Sequence, residues 1–258
     1  MSTGDAPSSA PRPHSADSVV RIAHLYPTVL GLYGDRGNAL VLAHRARARG
    51  IAAEIVDVAP GEKLPEQADV YLLGGGEDIA QTTACELLAA DGALARAVER
   101  RAPILAVCAG YQILGTEFAA GGRQVPGLDL LDLVTRPRAV RAVGELVADP
   151  IEDDLPTLTG YENHGGGTTL GPGLTPLARV GVGVGNGADA AGTAGRTEGV
   201  RHGRIIGTYC HGPALARNPA LADLLLGWIV DAPLAPMPTG LDDTVIALRA
   251  ERLAAARR

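Results

Sequence analysis

The chain has 258 residues, of which 46% are hydrophobic and 3% aromatic, and its formal net charge is −6. This composition supports a sizeable aliphatic core and excludes global disorder, and the absence of a basic patch argues against nucleic-acid binding. Three cysteines exclude a disulfide scaffold and are typical of a reduced compartment. Because no run of about 18 uncharged apolar residues is present, we expect a cytoplasmic protein without membrane insertion.

The first half of the chain alternates strand and helix patterns. Residues 1–18 are rich in Pro and Ser and lack an apolar segment, which predicts a disordered leader rather than a signal peptide. Apolar segments then predict strands at 19–25, 51–58, 68–76 and 103–108, and helices at 38–50, at 78–101 with a break at Gly92, and from 110 to 118. This alternation predicts an α/β fold with right-handed βαβ units on a mostly parallel sheet.

The second half is richer in β signals and turns. The patterns predict strands or hairpins at 127–135, 141–149, 159–171 and 204–212, a Gly- and Ala-rich loop at 181–199, and a helix at 219–230. We therefore expect one domain over residues 19–231. A proline-rich linker and a short helix follow over 232–258, and this segment is either a docking element for a partner or a solvated tail.

Three features fall at the carboxyl ends of predicted strands, where open parallel sheets bind ligands: Gly74 to Gly76, Cys108 and His211. Cys108 stands in Ala-Val-Cys-Ala-Gly, the thiol counterpart of the G-x-S-x-G turn that lifts a nucleophile out of a sheet. A helix N-terminus activates such a thiol, and the N–H of Ala109 points at the attacked group. The alternative is a small buried hydrophobe.

His211 is the predicted general base, because it ends a strand on the same edge of the sheet. A neutral imidazole there takes the thiol proton and later protonates the leaving group. His164, in a turn-rich stretch, is the rival base, and a loop histidine without a catalytic role is the remaining alternative. The other residues of these types are expected to be structural or solvated: His24, His44, His202, Cys85 and Cys210.

Metal and phosphate chemistry have no support in the sequence. The cysteines and histidines lack paired ligand spacing. No G-x-x-x-x-G-K-[ST] phosphate loop is present, and the sole lysine, Lys63, lies in an unrelated segment. We therefore predict neither a metal nor a cofactor. From the residues alone, Cys108 and His211 indicate a cysteine hydrolase or transferase that forms a thioester with an acyl group.

Several motifs, in order, resemble class I glutamine amidotransferase domains. They extend over about residues 19–230 and are LYGDRGN, GGG after a strand, CAGYQILG, GLDLLD, GYENHGG, GVGNG and TYCHGP. The similarity is to the branch that includes cobyric acid synthases and the glutaminase subunits of lipid II isoglutaminyl synthases. It implies a flavodoxin-like fold with helices on both faces of the sheet, in which a thiolate attacks the carboxamide of L-glutamine, ammonia leaves, and water hydrolyses the glutamyl thioester.

The resemblance also implies roles for individual residues around the nucleophile. Cys108 is placed as the nucleophile and His211 as the base. Backbone N–H groups of Gly75 or Gly76, together with that of Ala109, would form the oxyanion hole that stabilises the tetrahedral intermediate. These roles follow from the match of the motifs, and they require that the named groups lie close together in the fold.

Two further positions match the glutamine pocket of the family. Gln112, in the first turn after the nucleophile, would line this pocket. Arg141 aligns best with the arginine that holds the substrate, and a guanidinium fork suits the α-carboxylate of glutamine. Arg136 and Arg138 lie close enough in the sequence to be alternatives.

One position departs from many class I amidotransferases, which have a glutamate two residues after the catalytic histidine. Pro213 occupies that position here. The branch that this chain resembles also lacks the glutamate. The resemblance therefore implies either a Cys–His dyad or a third member from another part of the chain. Glu162 and Glu198 are the candidates for that third member.

Without a phosphate loop, the chain is not expected to activate an acceptor carboxylate itself. The resemblance implies a heterodimer with a MurT-like subunit, a Mur-ligase homologue that uses the ammonia to amidate D-glutamate of the lipid II stem peptide in peptidoglycan synthesis. Two alternatives stay open. One is amidation of a cobyrinic-acid-type corrinoid, although 258 residues leave no room for the usual fused synthetase domain. The other is a non-catalytic regulatory subunit.

Overall fold

The computed structural model describes residues 18–31, 34–188 and 196–256, so the predicted leader lies almost entirely outside the described residues. Its strands are β1 Val20–Leu25, β2 Ala53–Val58, β3 Val70–Leu73, β4 Ile104–Val107, β5 Glu117–Ala120, β6 Arg123–Pro126, β7 Leu133–Pro150, β8 Leu158–Leu170, β9 Ala178–Val182, β10 Gly187–Ala188, β11 Arg196–Glu198, β12 Val200–His202 and β13 Ile205–Thr208. Its helices are α1 Arg36–Ala48, α2 Asp78–Asp91, α3 Ala93–Glu99, α4 Ala109–Ile113, α5 Ala214–Arg217, α6 Pro219–Val230 and α7 Asp243–Ala256. In the described ranges, every helix is too short or too polar to cross a membrane.

The central sheet has the strand order β12-β13-β4-β3-β1-β2, and all neighbours are parallel except the edge pair β12 and β13. Strands β3, β4 and β13 are buried along their whole length, as their continuous apolar runs require in a sheet covered on both faces. The predicted parallel sheet is therefore confirmed. Its order brings the carboxyl ends of β1, β3, β4 and β13 side by side along one edge.

A second sheet, mostly antiparallel, lies next to this edge. Its main element is the long pair of β7 and β8, whose register breaks between Pro137 and Ala142. A backbone bridge joins the two sheets, since the N–H of His211 donates to the carbonyl of Tyr161 at 2.7 Å and the N–H of Tyr161 donates to the carbonyl of His211 at 3.1 Å. The bridge fixes β8 beside the carboxyl ends of the parallel strands.

Two predicted elements were wrong in part. The helix expected over 110–118 ends at Ile113, because the chain turns at Gly115 and pairs as β5 from Glu117 onward. The loop expected over 181–199 contains β10 and β11, which pair with each other and with β9. Residues 189–195 lie outside the described part of the chain. The predicted break at Gly92 is confirmed, since this residue has a φ of 70° between α2 and α3.

The C-terminal helix α7 has no buried residue, yet polar contacts hold it on the domain. The guanidinium of Arg249 donates to the carbonyls of Thr157 and Arg217. Just before the helix, Asp242 accepts a hydrogen bond from Arg45 at 2.7 Å. The segment is thus attached to its own domain, and a role in docking a partner stays a prediction.

Candidate active site

Cys108 occupies a strained turn between β4 and α4. Its φ of 52° and ψ of −106° lie outside the regions that L-residues favour, and such a conformation costs about 1–3 kcal/mol. The turn is held by the N–H of Cys108, which donates to the carbonyl of Thr208, and by the N–H of Gly110, which donates to that of Gly74 at 3.0 Å. The predicted elbow geometry is therefore present, with the thiol at the wall of a cavity.

His211 lies directly beside this turn and is 1% exposed at its side chain. The two groups meet over Gly75: a Cβ atom there would lie 2.9 Å from Cε1 of His211 and 3.5 Å from Cβ of Cys108. Only a glycine leaves enough space for this approach. The structure thus brings together three of the features that the sequence placed at the ends of different strands.

Asp35 completes this cluster, and the sequence analysis did not identify it. Its Oδ1 lies 3.8 Å from Nδ1 of His211, and its Oδ2 accepts the N–H of Gly75 at 2.7 Å. The carboxylate is 2% exposed. The available signal was its place in the LYGDRGN motif, in the loop that connects β1 to α1 and therefore at the same edge of the sheet as Cys108.

The surroundings of His211 favour its protonated form. Burial alone lowers the pKa of the imidazole, but hydrogen bonds and charge interactions with Asp35 and Cys108 outweigh burial and raise the pKa to about 9. These contacts favour the protonated imidazole at neutral pH, whereas the sequence analysis had considered a neutral one. The difference arises from the buried carboxylate next to Nδ1 and from the neighbouring thiol.

The oxyanion hole expected from the sequence changes in one donor. The N–H of Gly75 is already bound to Asp35 at 2.7 Å, so it does not point at an attacked carbonyl. Gly76 and Ala109 both line the cavity next to Cys108. Of the two glycines that the sequence left open, Gly76 therefore stays the candidate donor.

The two glutamates suggested as third members make their hydrogen bonds elsewhere. Glu198 accepts the hydroxyl of Thr208 at 2.5 Å and the N–H of Tyr209 at 2.8 Å. Its complete burial raises the pKa to about 7, although these hydrogen bonds act in the opposite direction. Glu162 accepts the N–H groups of Val184 and Gly185. Both carboxylates thus anchor backbone rather than orient His211.

His164, the rival base, uses both ring nitrogens within the fold. Nδ1 lies 2.7 Å from the carbonyl of Gly166, and Nε2 lies 3.3 Å from Oε2 of Glu162. The ring also stacks on Tyr209 with centroids 3.7 Å apart. A carbonyl only accepts hydrogen bonds, so Nδ1 must donate, while Nε2 is engaged by the carboxylate of Glu162 rather than by Cys108.

The cavity at the thiol has a volume of about 450 Å³, a size suited to a small ligand. Gln112 forms part of its wall and is fixed on both sides. Its Oε1 accepts from Gln81 at 2.7 Å, and its Nε2 donates to the hydroxyl of Tyr209 at 3.1 Å. Gln112 therefore shapes the cavity as a rigid surface, held by two residues that the sequence analysis did not single out.

Arg141 reaches the cavity from the irregular part of β7. Its Nε donates to the side-chain carbonyl of Asn163 at 2.6 Å, so it faces a neutral amide. Arg136 also lines the cavity, but a carboxylate oxygen of Glu117 lies 3.3 Å from its guanidinium. Arg138 instead extends towards Gly187. Of the three arginines, Arg141 has the position and the charge to bind a carboxylate.

No metal centre is found in the described ranges, where His, Cys, Asp and Glu side chains do not form a group of three able to hold an ion. The predicted structural cysteines behave as expected. Cys85 lies buried in α2, and Cys210 is buried beside Gly160. Burial raises the pKa of both thiols, which leaves them unreactive.

A mostly parallel sheet with a cysteine in a strained strand-to-helix turn and a histidine at the next strand end defines the class I glutamine amidotransferase fold. A crystal structure of a glutamine amidotransferase aligns with a TM-score of 0.54 at 21% identity, covering 80% of this chain and 98% of that chain. The family model of CobB/CobQ-like glutamine amidotransferase domains matches residues 21–219. The chain belongs to this family.

Two relatives carry a more specific description. The chain is 35% identical over 208 residues to the lipid II isoglutaminyl synthase (glutamine-hydrolyzing) subunit GatD of Staphylococcus aureus (strain N315), covering 80% of this chain and 82% of the relative. It is 33% identical over 207 residues to the subunit of the same name from Streptococcus pneumoniae (strain ATCC BAA-255 / R6), covering 79% and 77%. Both similarities extend over most of each chain.

Proposed function

We propose that this chain is a glutaminase subunit that hydrolyses L-glutamine through a Cys108 thioester and delivers the ammonia for amidation of lipid II. The observation that carries this proposal is the meeting of Cys108 and His211 at a cavity that Arg141 also lines. The similarity to the two GatD subunits supports lipid II as the final acceptor.

In this proposal the second sheet holds the substrate. The guanidinium of Arg141 binds the α-carboxylate of glutamine with two parallel hydrogen bonds. Glu77 and Asp78, which also line the cavity, supply negative charge for the α-ammonium group. The rigid face of Gln112 then helps to orient the carboxamide towards Cys108, since both residues line the cavity.

The chemistry proceeds through two additions to a carbonyl. The sulfur of Cys108 attacks the carboxamide carbon, and the N–H groups of Gly76 and Ala109 stabilise the oxyanion. The proton on His211 passes to the departing nitrogen, so that the C–N bond breaks and ammonia leaves. Water then adds to the thioester while His211 accepts its proton, and the C–S bond breaks to release glutamate and restore the starting pair.

The acceptor side of the reaction is assigned to a second protein. Amidation of a carboxylate requires activation, and the chain has no phosphate loop for this purpose. We assign the activation to a MurT-like Mur ligase subunit that receives the ammonia and amidates D-glutamate of the stem peptide. The C-terminal helix α7, which exposes Ile246 and Leu248, is available to such a partner.

The test compares Cys108→Ala with Cys85→Ala, because both remove a buried thiol and only one lies at the cavity. Ammonia release from glutamine is measured with the full chain, alone and with the partner that co-purifies from native cells. We expect loss of at least about 10³-fold in Cys108→Ala, as for other nucleophiles, and near-normal rates in Cys85→Ala. Ammonia release by Cys108→Ala at the normal rate would contradict the mechanism, and recovery of a corrinoid synthetase as partner would contradict the acceptor.

A further inference from the structure

We propose that Asp35 is the residue that positions His211, with its carboxylate accepting the Nδ1–H of the imidazole during turnover. This inference rests on the proposed function, because it assigns a role within the same cysteine–histidine pair. It fills the position that the sequence left open when Pro213 was found two residues after the histidine.

The two oxygens of the Asp35 carboxylate have different surroundings. Oδ2 is fixed by the N–H of Gly75 at 2.7 Å. Oδ1 is buried, lies 3.8 Å from Nδ1 of His211 and accepts no hydrogen bond from the described residues. Catalytic hydrogen bonds are often long in the free enzyme and shorten when substrate binds. The carboxylate thus has one anchored oxygen and one oxygen directed at the imidazole.

Two flanking contacts hold Asp35 at this place. The loop before α1 lies against the loop after β13, and a Cβ atom at Gly37 would collide with the ring of Pro213. Beyond that point, Oδ1 of Asn38 accepts the N–H of Leu215 at 3.0 Å. The pairs 35 with 211, 37 with 213 and 38 with 215 follow in order, so the approach of Asp35 to His211 is built into the contact between the two loops.

This contact also explains why a glutamate at 213 is unnecessary. The Pro213 side chain faces Gly37, where it fixes the distance between the two loops. The negative charge comes instead from Asp35, on the loop before α1. Asp35 and His211 are 2% and 1% exposed at their side chains, so water does not compete for the bond.

The substitution Asp35→Asn removes the negative charge of the side chain and keeps its shape. The amide oxygen of the new side chain would still accept the N–H of Gly75, but its NH₂ group would then face Nδ1–H of His211. Because both groups are donors, the imidazole must lose this proton or adopt the other tautomer. The variant therefore keeps the fold and removes the property that the proposal assigns to Asp35.

The chain provides a matched control. His24 and Asp57 form a second contact between a buried histidine and an aspartate, with 2.9 Å between Nδ1 and Oδ1, outside the cavity. Asp57→Asn removes a carboxylate from a histidine in the same way as Asp35→Asn. Asp57 also accepts a hydrogen bond from Arg36 at 3.0 Å, and neither Asp57 nor His24 lines the cavity at Cys108.

The experiment measures kcat and KM for ammonia release and follows the His211 ring by NMR over a pH series. We expect Asp35→Asn to lower kcat by about 10²–10⁴-fold with KM within about threefold, and to lower the pKa of His211 by about 1–3. Asp35→Glu is expected to recover part of kcat because it restores the charge. Asp57→Asn is expected to change kcat by less than about threefold.

Wild-type kcat together with an unchanged His211 titration in Asp35→Asn would overturn the assignment of Asp35. Such a result would leave the proposed function intact wherever Cys108→Ala abolishes ammonia release. If Asp35→Asn does not fold, ¹⁵N shifts of His211 in the unaltered chain decide the matter. Nδ1 protonated at neutral pH supports the proposal, and a neutral ring protonated only at Nε2 overturns it. The NMR result does not depend on glutaminase activity.

Discussion

The edge of the parallel sheet and the neighbouring antiparallel sheet divide the proposed work between them. The first region holds Cys108, His211 and Asp35 on the loops that follow strands of the parallel sheet, where each group is fixed by backbone contacts. The second region brings Arg141 and His164 to the cavity from the long pair of β7 and β8. Substitutions in the two sheets should therefore affect different kinetic constants, namely kcat in the first region and KM in the second.

The two histidines show how this division arises. His211 and His164 are 1% and 2% exposed, and each has a carboxylate within 4 Å. His164 is enclosed by a carbonyl, a glutamate and the ring of Tyr209, so its nitrogens are used in holding the second sheet. His211 interacts with the thiol of Cys108 and with the carboxylate of Asp35. Burial beside an acid does not by itself make a catalytic base.

The largest effect that tests this comparison is expected for His211→Gln. Loss of the proton donor and acceptor should reduce kcat by about 10²–10⁴-fold, because general acid–base catalysis contributes an effect of this size. His24→Gln, a buried histidine outside the cavity, serves as the control. Steady-state ammonia release over pH 6–10 measures both variants. A greater loss of kcat in His164→Gln than in His211→Gln would contradict the proposed division.

An intermediate effect is expected for Arg141→Ala, and it should appear in KM. A hydrogen bond to a charged group contributes about 1.5–3 kcal/mol, so KM for glutamine should rise by about 10- to 150-fold while kcat changes little. Arg136→Ala is the control, because Glu117 already neutralises Arg136. Equal rises of KM in both variants would mean that the cavity does not distinguish the two arginines.

The smallest effect concerns Glu198, which joins the regions by binding the end of β13 from β11. Its pKa of about 7 lies above the ordinary value of 4.5, so the folded state favours the protonated form. The stability of the fold should therefore fall as pH rises from about 4.5 to 7, and the deficit should remain above pH 7. Glu198→Gln removes this loss, with a gain of about 1–3 kcal/mol at pH 8 and little change at pH 4.5.

Denaturant unfolding at the two pH values measures this difference. Glu152→Gln is the control, because the side chain of Glu152 is 52% exposed in its contact with Arg201. We expect its stability difference between pH 4.5 and pH 8 to equal that of the unaltered chain. If Glu198→Gln also follows the unaltered chain, Glu198 is not the group that couples the two sheets to pH.

The positions of Cys108 and His211 at one edge of the parallel sheet were predictable from the sequence, and their roles stay predictions. Cys108 and His211 follow apolar strand patterns directly, and the carboxyl ends of adjacent parallel strands share one edge. Asp35 escaped notice because it lies ten residues after Leu25, beyond a turn. A pattern of residue types contains no distance between loops, so it could not separate Asp35 from Glu162 or Glu198.

The antiparallel sheet was harder to predict. Its strands carry many glycines and few uninterrupted apolar residues, so β10 and β11 were indistinguishable from a loop. Their backbone groups pair because β9 offers a partner, which is a long-range contact that local composition does not encode. The same limit applies to Arg141, whose access to the cavity depends on the register break in β7.

The backbone conformation of Cys108 places the thiol at the cavity and lowers the stability of the fold at the same position. A φ of 52° and a ψ of −106° strain any residue that has a side chain, and glycine relieves most of this strain. A substitution of Cys108 by glycine would therefore stabilise the fold and remove the thiol. A cysteine at this point therefore exchanges some stability of the fold for a thiol held at the cavity.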